Sequence, residues 1–192
     1  MKIFAQPIVI LDTETNGVLK TSEIVEIGAL CLDEWGRTRS QFSALIKAND
    51  LYSSNAQRSL KINNISTEDL ERAPSLATVR DCFMQWWNQL QQLGHIRCVA
   101  FNAGFDKRMM EQSGIHLNWG KCLLAMTHDI MKANNHILYS ESGRKKRPSL
   151  EESCAFFGLE YPENAHRALE DAKVTAQVAC KAFPLWNALN HS

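Results

Sequence analysis

The sequence predicts an α/β protein, a sheet with helices on both faces, and three observations point there. Ile8-Val9-Ile10-Leu11 is a run of four apolar residues, three of them β-branched, as in a strand buried on both sides. Two further strand-like stretches follow within forty residues, joined by short connections, as in an antiparallel meander. After them, stretches of helical periodicity alternate with a second buried strand pattern, which places helices against both sheet faces. At 192 residues and 45% hydrophobic composition, the chain is expected to form one domain over 1–192 around a sizeable core.

Taken in order, Pro7 precedes the first strand, where a missing N–H is tolerated, and Asn16-Gly17 supplies the turn after it. Glu23 to Asp33 reads as the second strand, Glu34-Trp35-Gly36-Arg37 as a tight connection, and Ser40 to Ile46 as the third strand. Lys47 to Ser66, rich in Asn and Ser, reads as irregular. Ser66-Thr67-Glu68-Asp69 starts a helix with Ser66 as N-cap and the Asp69 side chain expected to reach back to it. Pro74-Ser75 opens a long helix from Leu76 to Leu93, whose apolar positions Leu76, Val79, Phe83, Trp86-Trp87 and Leu90 keep helical spacing until Gly94. Ile96 to Phe101 is the next buried strand, and Gly104-Phe105 leads into a helix ending near Gly114. Helices are also expected over Leu123–Lys132, Ser149–Phe157 (closed by Gly158) and His166 to Leu189. Tyr139 to Pro148, holding Arg144-Lys145-Lys146-Arg147, is expected to be mobile; this basic run reads either as a solvated loop or as a flap touching phosphates.

Charge narrows little. Twenty-one basic residues balance twenty-one acidic ones, which neither requires nor excludes nucleic acid; any such affinity should be modest, with a shallow salt dependence. The six cysteines are scattered without zinc-ligand or CxxC spacing, so a reduced, cytoplasmic protein is expected. Gln6, Pro7 and Asp12 interrupt the N-terminal apolar run, so it does not read as a signal peptide, and no stretch is long enough to span a membrane. The tryptophans read mainly as core, with Trp186 a candidate contact in a homodimer.

The chemistry sits at the ends of the buried strands. Asp12 and Glu14 are two residues apart and so share one face of the first strand. Two like charges there repel and lose hydration unless a cation neutralises them, although a strand running out into solvent would look similar. Asn102 falls at the corner after Ile96–Phe101, and Asp106 lies in the first turn of the next helix, where a negative charge also suits the helix dipole. His166 and Asp171 are five residues apart, about 140° around an ideal helix. Both reach one site only if His166 sits before the helix and Asp171 inside it. Ala168, Ala172, Ala176 and Ala179 form a small-residue face that lets this helix lie close on the sheet.

In this order and separation, Asp12-x-Glu14, Asn102-x-x-x-Asp106 and His166-x-x-x-x-Asp171 resemble the DEDDh exonucleases, the family of the polymerase proofreading epsilon subunit, ribonuclease T and oligoribonuclease. The resemblance runs from about Ile8 to Ala179. It implies a ribonuclease H-like mixed five-stranded sheet, three antiparallel strands and then parallel ones, with helices on both faces. It also implies a 3′→5′ exonuclease that uses two Mg2+ ions, with Mn2+ able to substitute, on the 3′ end of single-stranded nucleic acid. Asp12 would bridge the ions, Glu14 and Asp171 would share the one holding the attacking water, and Asp106 would act through coordinated water. His166 would be the general base. Thr13, Thr15, Asn64, Ile65, Asn102 and Phe105 would contact substrate, Ile65 as a wedge against the last base and Asn102 on a phosphate. Asn63-Asn64 departs from the His-Gly that many members carry at this point. The short tail after the last helix favours a free-standing DNA-processing or repair nuclease over a tethered proofreading subunit, with RNA 3′-end trimming or oligoribonuclease activity, and a catalytically silent nucleic-acid-binding module, as the alternatives.

Overall fold

A computed structural model describes residues 2–162 and 166–190. Its centre is a mixed sheet of β1 (Ile8–Thr15), β2 (Ile24–Leu32), β3 (Thr38–Leu45) and β4 (Arg97–Val99) in the order β3-β2-β1-β4. The first three strands pair antiparallel, as the short connections between them require, and β4 joins β1 in parallel after a helical crossover.

Alternation along β1 sorts the core. Ile8 and Ile10, with Leu30 and Leu32 opposite them, face one layer; Val9 and Leu11, with Cys31 and Ala29 opposite, face the other. The first layer holds α5 (Leu123–Ala133), α6 (Leu150–Phe157) and α7 (Ala168–Asn190). The second holds α3 (Leu76–Gln91) and α4 (Ala103–Gln112), with Phe83 fully buried against Phe42 and Trp86. Each such buried side chain contributes roughly 1.5–3 kcal/mol, so this apolar packing holds the helices to the sheet.

Three expectations need correction. The expected fifth strand is absent among the described residues. Its place is taken by Asn118–Gly120, which exchanges two backbone hydrogen bonds of 2.7 Å with Cys98 and makes one parallel bridge through Trp119 before the chain turns into α5. The strand expected over Ile96–Phe101 shortens to Arg97–Val99, because Ala100 and Phe101 carbonyls instead accept from the first turn of α5. The irregular stretch after Lys47 contains α1 (Ser54–Ile62), capped by the Ser53 hydroxyl. Its buried stripe is only Ala56 and Leu60, too narrow to show against a polar sequence. The basic segment Tyr139–Pro148 holds a tight turn, in which Tyr139 bridges Lys145 and the Ser140 N–H donates to the Arg144 carbonyl at 2.8 Å.

Capping follows the sequence closely. Ser66 and Ser75 cap α2 (Thr67–Arg72) and α3, and Ser149 forms a reciprocal capping box with Glu152 at α6, which ends on left-handed Gly158. All six cysteines are free thiols, and no described helix is long and apolar enough to cross a membrane.

Candidate active site

The parity that sorts the core also aims the acids. Asp12 and Glu14 continue the Ile8–Ile10 register and therefore face α7, with Gly28 and Glu26 opposite them on β2. From α7, Asp171 projects in the first turn and is 7% exposed. One carboxylate oxygen from each of Asp12, Glu14 and Asp171 lies within 4.8 Å of the others. At such a separation two ionised carboxylates repel by on the order of 3 kcal/mol in a partly shielded site.

Asp106 arrives from the other layer. Thr13 belongs to the opposite parity of β1, and the Asp106 Oδ1 accepts both its backbone N–H at 3.1 Å and its hydroxyl at 2.9 Å. This side chain is therefore anchored beside Asp12 but stands apart from the trio of converging oxygens. His166 precedes α7 in a left-handed conformation, φ 83°, with its side chain exposed and its N–H donating to Asp171 Oδ2 at 2.9 Å. The site thus resolves the 140° problem, since the histidine lies outside the helix that carries its partner. Residues 163–165, just before it, lie outside the described segments.

Burial and mutual repulsion push these acids out of the ordinary carboxyl range. Asp12 is raised well above it, by burial first and then by Asp106, Glu14, Asp171 and Glu26. Glu14 is pushed up to about 8 by burial, Asp171, Glu26 and Asp106, with Arg167 pulling the other way. Asp106 rises to about 7 through burial, opposed by its hydrogen bonds from Thr13. Asp171 is raised by burial against the lowering effect of the His166 N–H. Without a cation, this cluster holds protons near neutrality.

A divalent ion fits the donor set. All the donors are hard oxygens, and Asp171 Oδ1 is buried with no hydrogen-bond partner among the described residues, a costly condition that a cation would relieve. The surrounding candidates are placed as follows. Asn102 is exposed at the N-terminus of α4 and makes no capping bond with its side chain, leaving the amide available. Phe105 is half-buried, with the Arg108 guanidinium 5.3 Å from its ring. Thr15 is buried and its hydroxyl donates to the Gly17 carbonyl at 2.6 Å. Asn64 is exposed and left-handed, φ 50°, while Asn63 is buried and donates to the Thr15 carbonyl at 3.3 Å. Ile65 is 6% exposed and packs with Val25, Leu60 and Leu70, so its side chain is mostly committed to the core.

Sequence reasoning missed Glu26, Arg167, Gly28 and Tyr161. Tyr161 is half-buried near the cluster, and burial together with Asp171 pushes its hydroxyl up to about 12. Glu26 had a visible signal, an acid within an otherwise apolar strand pattern. Its partner on α7 could not be read from the sequence.

A mixed sheet that carries an acid cluster at the end of β1, with a histidine beside it, has the architecture of a ribonuclease H-like fold. The chain belongs to the DEDDh exonuclease family: a sequence model of the exonuclease family (RNase_T) matches residues 9–179. It is 32% identical over 177 residues to the PolC-type DNA polymerase III of Thermotoga petrophila, covering 88% of this chain and 11% of that protein. It is 27% identical over 187 residues to the DNA polymerase III epsilon subunit of Buchnera aphidicola, covering 94% and 74%. The chain thus spans about a tenth of the length of the PolC-type relatives. Among solved structures, E. coli Exonuclease I in complex with an oligonucleotide shares the fold at a TM-score of 0.74 and 16% identity, over 97% of this chain and 43% of that one. The nuclease domain of 3'hExo bound to rAMP gives 0.66 and 15%, over 92% and 90%.

Proposed function

We propose that this chain is a metal-dependent 3′→5′ exonuclease that hydrolyses single-stranded nucleic acid, DNA in preference, and releases nucleoside 5′-monophosphates. The observation that carries this reading is the convergence of Asp12, Glu14 and Asp171 around a buried carboxylate oxygen without a partner among the described residues, beside His166. Asp12, Glu14 and Asp171 would hold two magnesium ions, for which manganese can substitute, and Asp106 would contribute through water. Bound divalent ions supply charge neutralisation at the phosphate and an acidified water.

The protein's own groups do the rest. His166, exposed at the rim, accepts the proton of the attacking water on the lone pair of a ring nitrogen. The Asn102 amide donates to a backbone phosphate oxygen at the N-terminus of α4, where the helix dipole also favours an anion. Left-handed Asn64, next to buried Ile65, meets the terminal nucleotide. Because Ile65 is largely packed away, backbone and amide contacts carry more of that recognition than an inserted side chain. Contacts of this kind are tolerant of base identity.

The test uses matched DNA and RNA single strands labelled at the 3′ end, in magnesium, with Asp12→Ala and His166→Ala alongside the unmodified chain. Mononucleotide release from the 3′ end is expected, falling by about 10²-fold or more when His166 is removed. Unchanged degradation by either variant would refute the assignment, and faster turnover of RNA would reverse the substrate preference.

A further inference from the structure

The fifth carboxylate beside the cluster is Glu26, 2% exposed and directly opposite Glu14 in the β1–β2 register. Its charge repels Asp12, Glu14 and Asp171, so it burdens the cluster it adjoins. Its own bonds all run to the start of the last helix. Oε1 accepts from Arg167 Nη2 at 2.8 Å, and Oε2 accepts from Arg167 Nε at 3.0 Å and from the Ala168 N–H at 3.0 Å. The fork and the helix N-terminus together occupy both oxygens, so they are engaged by α7 rather than offered to a cation.

Two residues along the same face of β2, Gly28 lets the helix come down. A Cβ at this position would lie 2.2 Å from the backbone of both Ala168 and Leu169. The bonds of Glu26 and the missing side chain of Gly28 therefore act on the same turn. That turn also sets the site: the Asp171 N–H donates to the Arg167 carbonyl at 2.9 Å, and Asp171 Oδ2 receives the His166 N–H. A shift of Arg167 and Ala168 along β2 would carry Asp171 and His166 with it.

We propose that Glu26 and Arg167 are positioning residues, a clamp that fixes where α7 begins on the sheet and so sets Asp171 and His166 against Asp12 and Glu14. The inference deepens the exonuclease reading and rests on it. Misplacement of about 1 Å costs up to roughly 10²-fold in turnover, and loss of a group that orients a metal ligand costs about 10–100-fold in metal affinity.

The experiment measures Mn2+ binding by the intact chain through electron paramagnetic resonance, together with kcat, KM and melting temperature, for Glu26→Gln, Arg167→Met, Arg167→Lys and the Glu26→Gln/Arg167→Met double variant. Expected are a Mn2+ affinity weaker by about tenfold in either single variant, kcat lower by about 10–100-fold, and KM within about threefold. The double variant should be no worse than the worse single one, and Arg167→Lys should recover part of the loss. Variants that only melt earlier, with Mn2+ affinity of the folded protein unchanged, would overturn the clamp. So would loss of Mn2+ binding in Glu26→Gln but not in Arg167→Met, which would make Glu26 a ligand. Should Glu26→Gln fail to fold, the two Arg167 variants decide alone, their side chain being 40% exposed. An unmodified chain that binds no Mn2+, with Asp12→Asn indistinguishable from it, would sink the metal reading and the clamp together. Normal binding and turnover in the Glu26 and Arg167 variants would sink the clamp alone.

Discussion

Replacing Glu14 by Gln should stabilise the metal-free protein, by an amount that depends on pH. The Glu14 carboxyl rises from 4.5 to about 8 in the folded chain. Folding therefore retains a proton that the unfolded chain releases, and the native state loses stability as pH climbs from about 4.5 toward 8. At pH 7 the cost is the interval from 4.5 at ~1.4 kcal/mol per unit, about 3–4 kcal/mol, and above pH 8 it reaches about 5 kcal/mol. The group is partly open to solvent and its neighbours share the same protons, so roughly 1–2 kcal/mol at pH 7 is the realistic gain. For a chain of this size that is a rise of about 2–8 °C in melting temperature.

Urea denaturation in EDTA at pH 5, 7 and 8.5 measures it. The advantage of Glu14→Gln should be near zero at pH 5, clear at pH 7 and largest at pH 8.5. In saturating magnesium the order should invert, because a ligand held at about a hundredfold above its dissociation constant stabilises the unmodified chain by about 2.7 kcal/mol. A gain that is the same at pH 5 and pH 8.5, or a loss at pH 8.5 in EDTA, would show that burial and repulsion do not govern this cluster.

Two further predictions test how the cluster is held. Gly28→Ala should displace the first turn of α7, costing roughly 1–3 kcal/mol in urea denaturation and weakening Mn2+ binding, whereas alanine at solvent-facing Gly104, within α4, should leave Mn2+ binding unchanged and stabilise by about 0.5–1 kcal/mol. Thr13→Val keeps the strand-forming shape but removes the 2.9 Å hydroxyl bond to Asp106, costing about 1–3 kcal/mol. That loss should be larger at pH 8 than at pH 5, because the missing donor stabilised the ionised carboxyl, and a pH-independent loss would contradict it.

Much of the site was legible in the chain itself because its signals are local. Alternation along Ile8–Thr15 puts Asp12 and Glu14 on one face wherever the strand goes. Helical geometry keeps His166 outside α7 while Asp171 lies within its first turn. Serine caps depend on neighbours three residues away, and Ser66, Ser75 and Ser149 all perform as their sequences suggest. Helix α1 escaped because its buried stripe is only two residues wide, and the fifth strand failed because a single bridge leaves no alternating pattern to read in either direction.

The sequence by itself determined which carboxylates exist, their order, and the face of β1 from which two of them project. Tertiary structure alone decided that Asp106 is tethered by Thr13 from the opposite layer, that Asp171 keeps one buried oxygen without a partner among the described residues, and that Glu26 engages a helix 141 residues away. The physical reason is range. Periodicity and capping act over a few residues, whereas desolvation, charge repulsion and the close approach permitted at Gly28 depend on which distant segments the packing brings together.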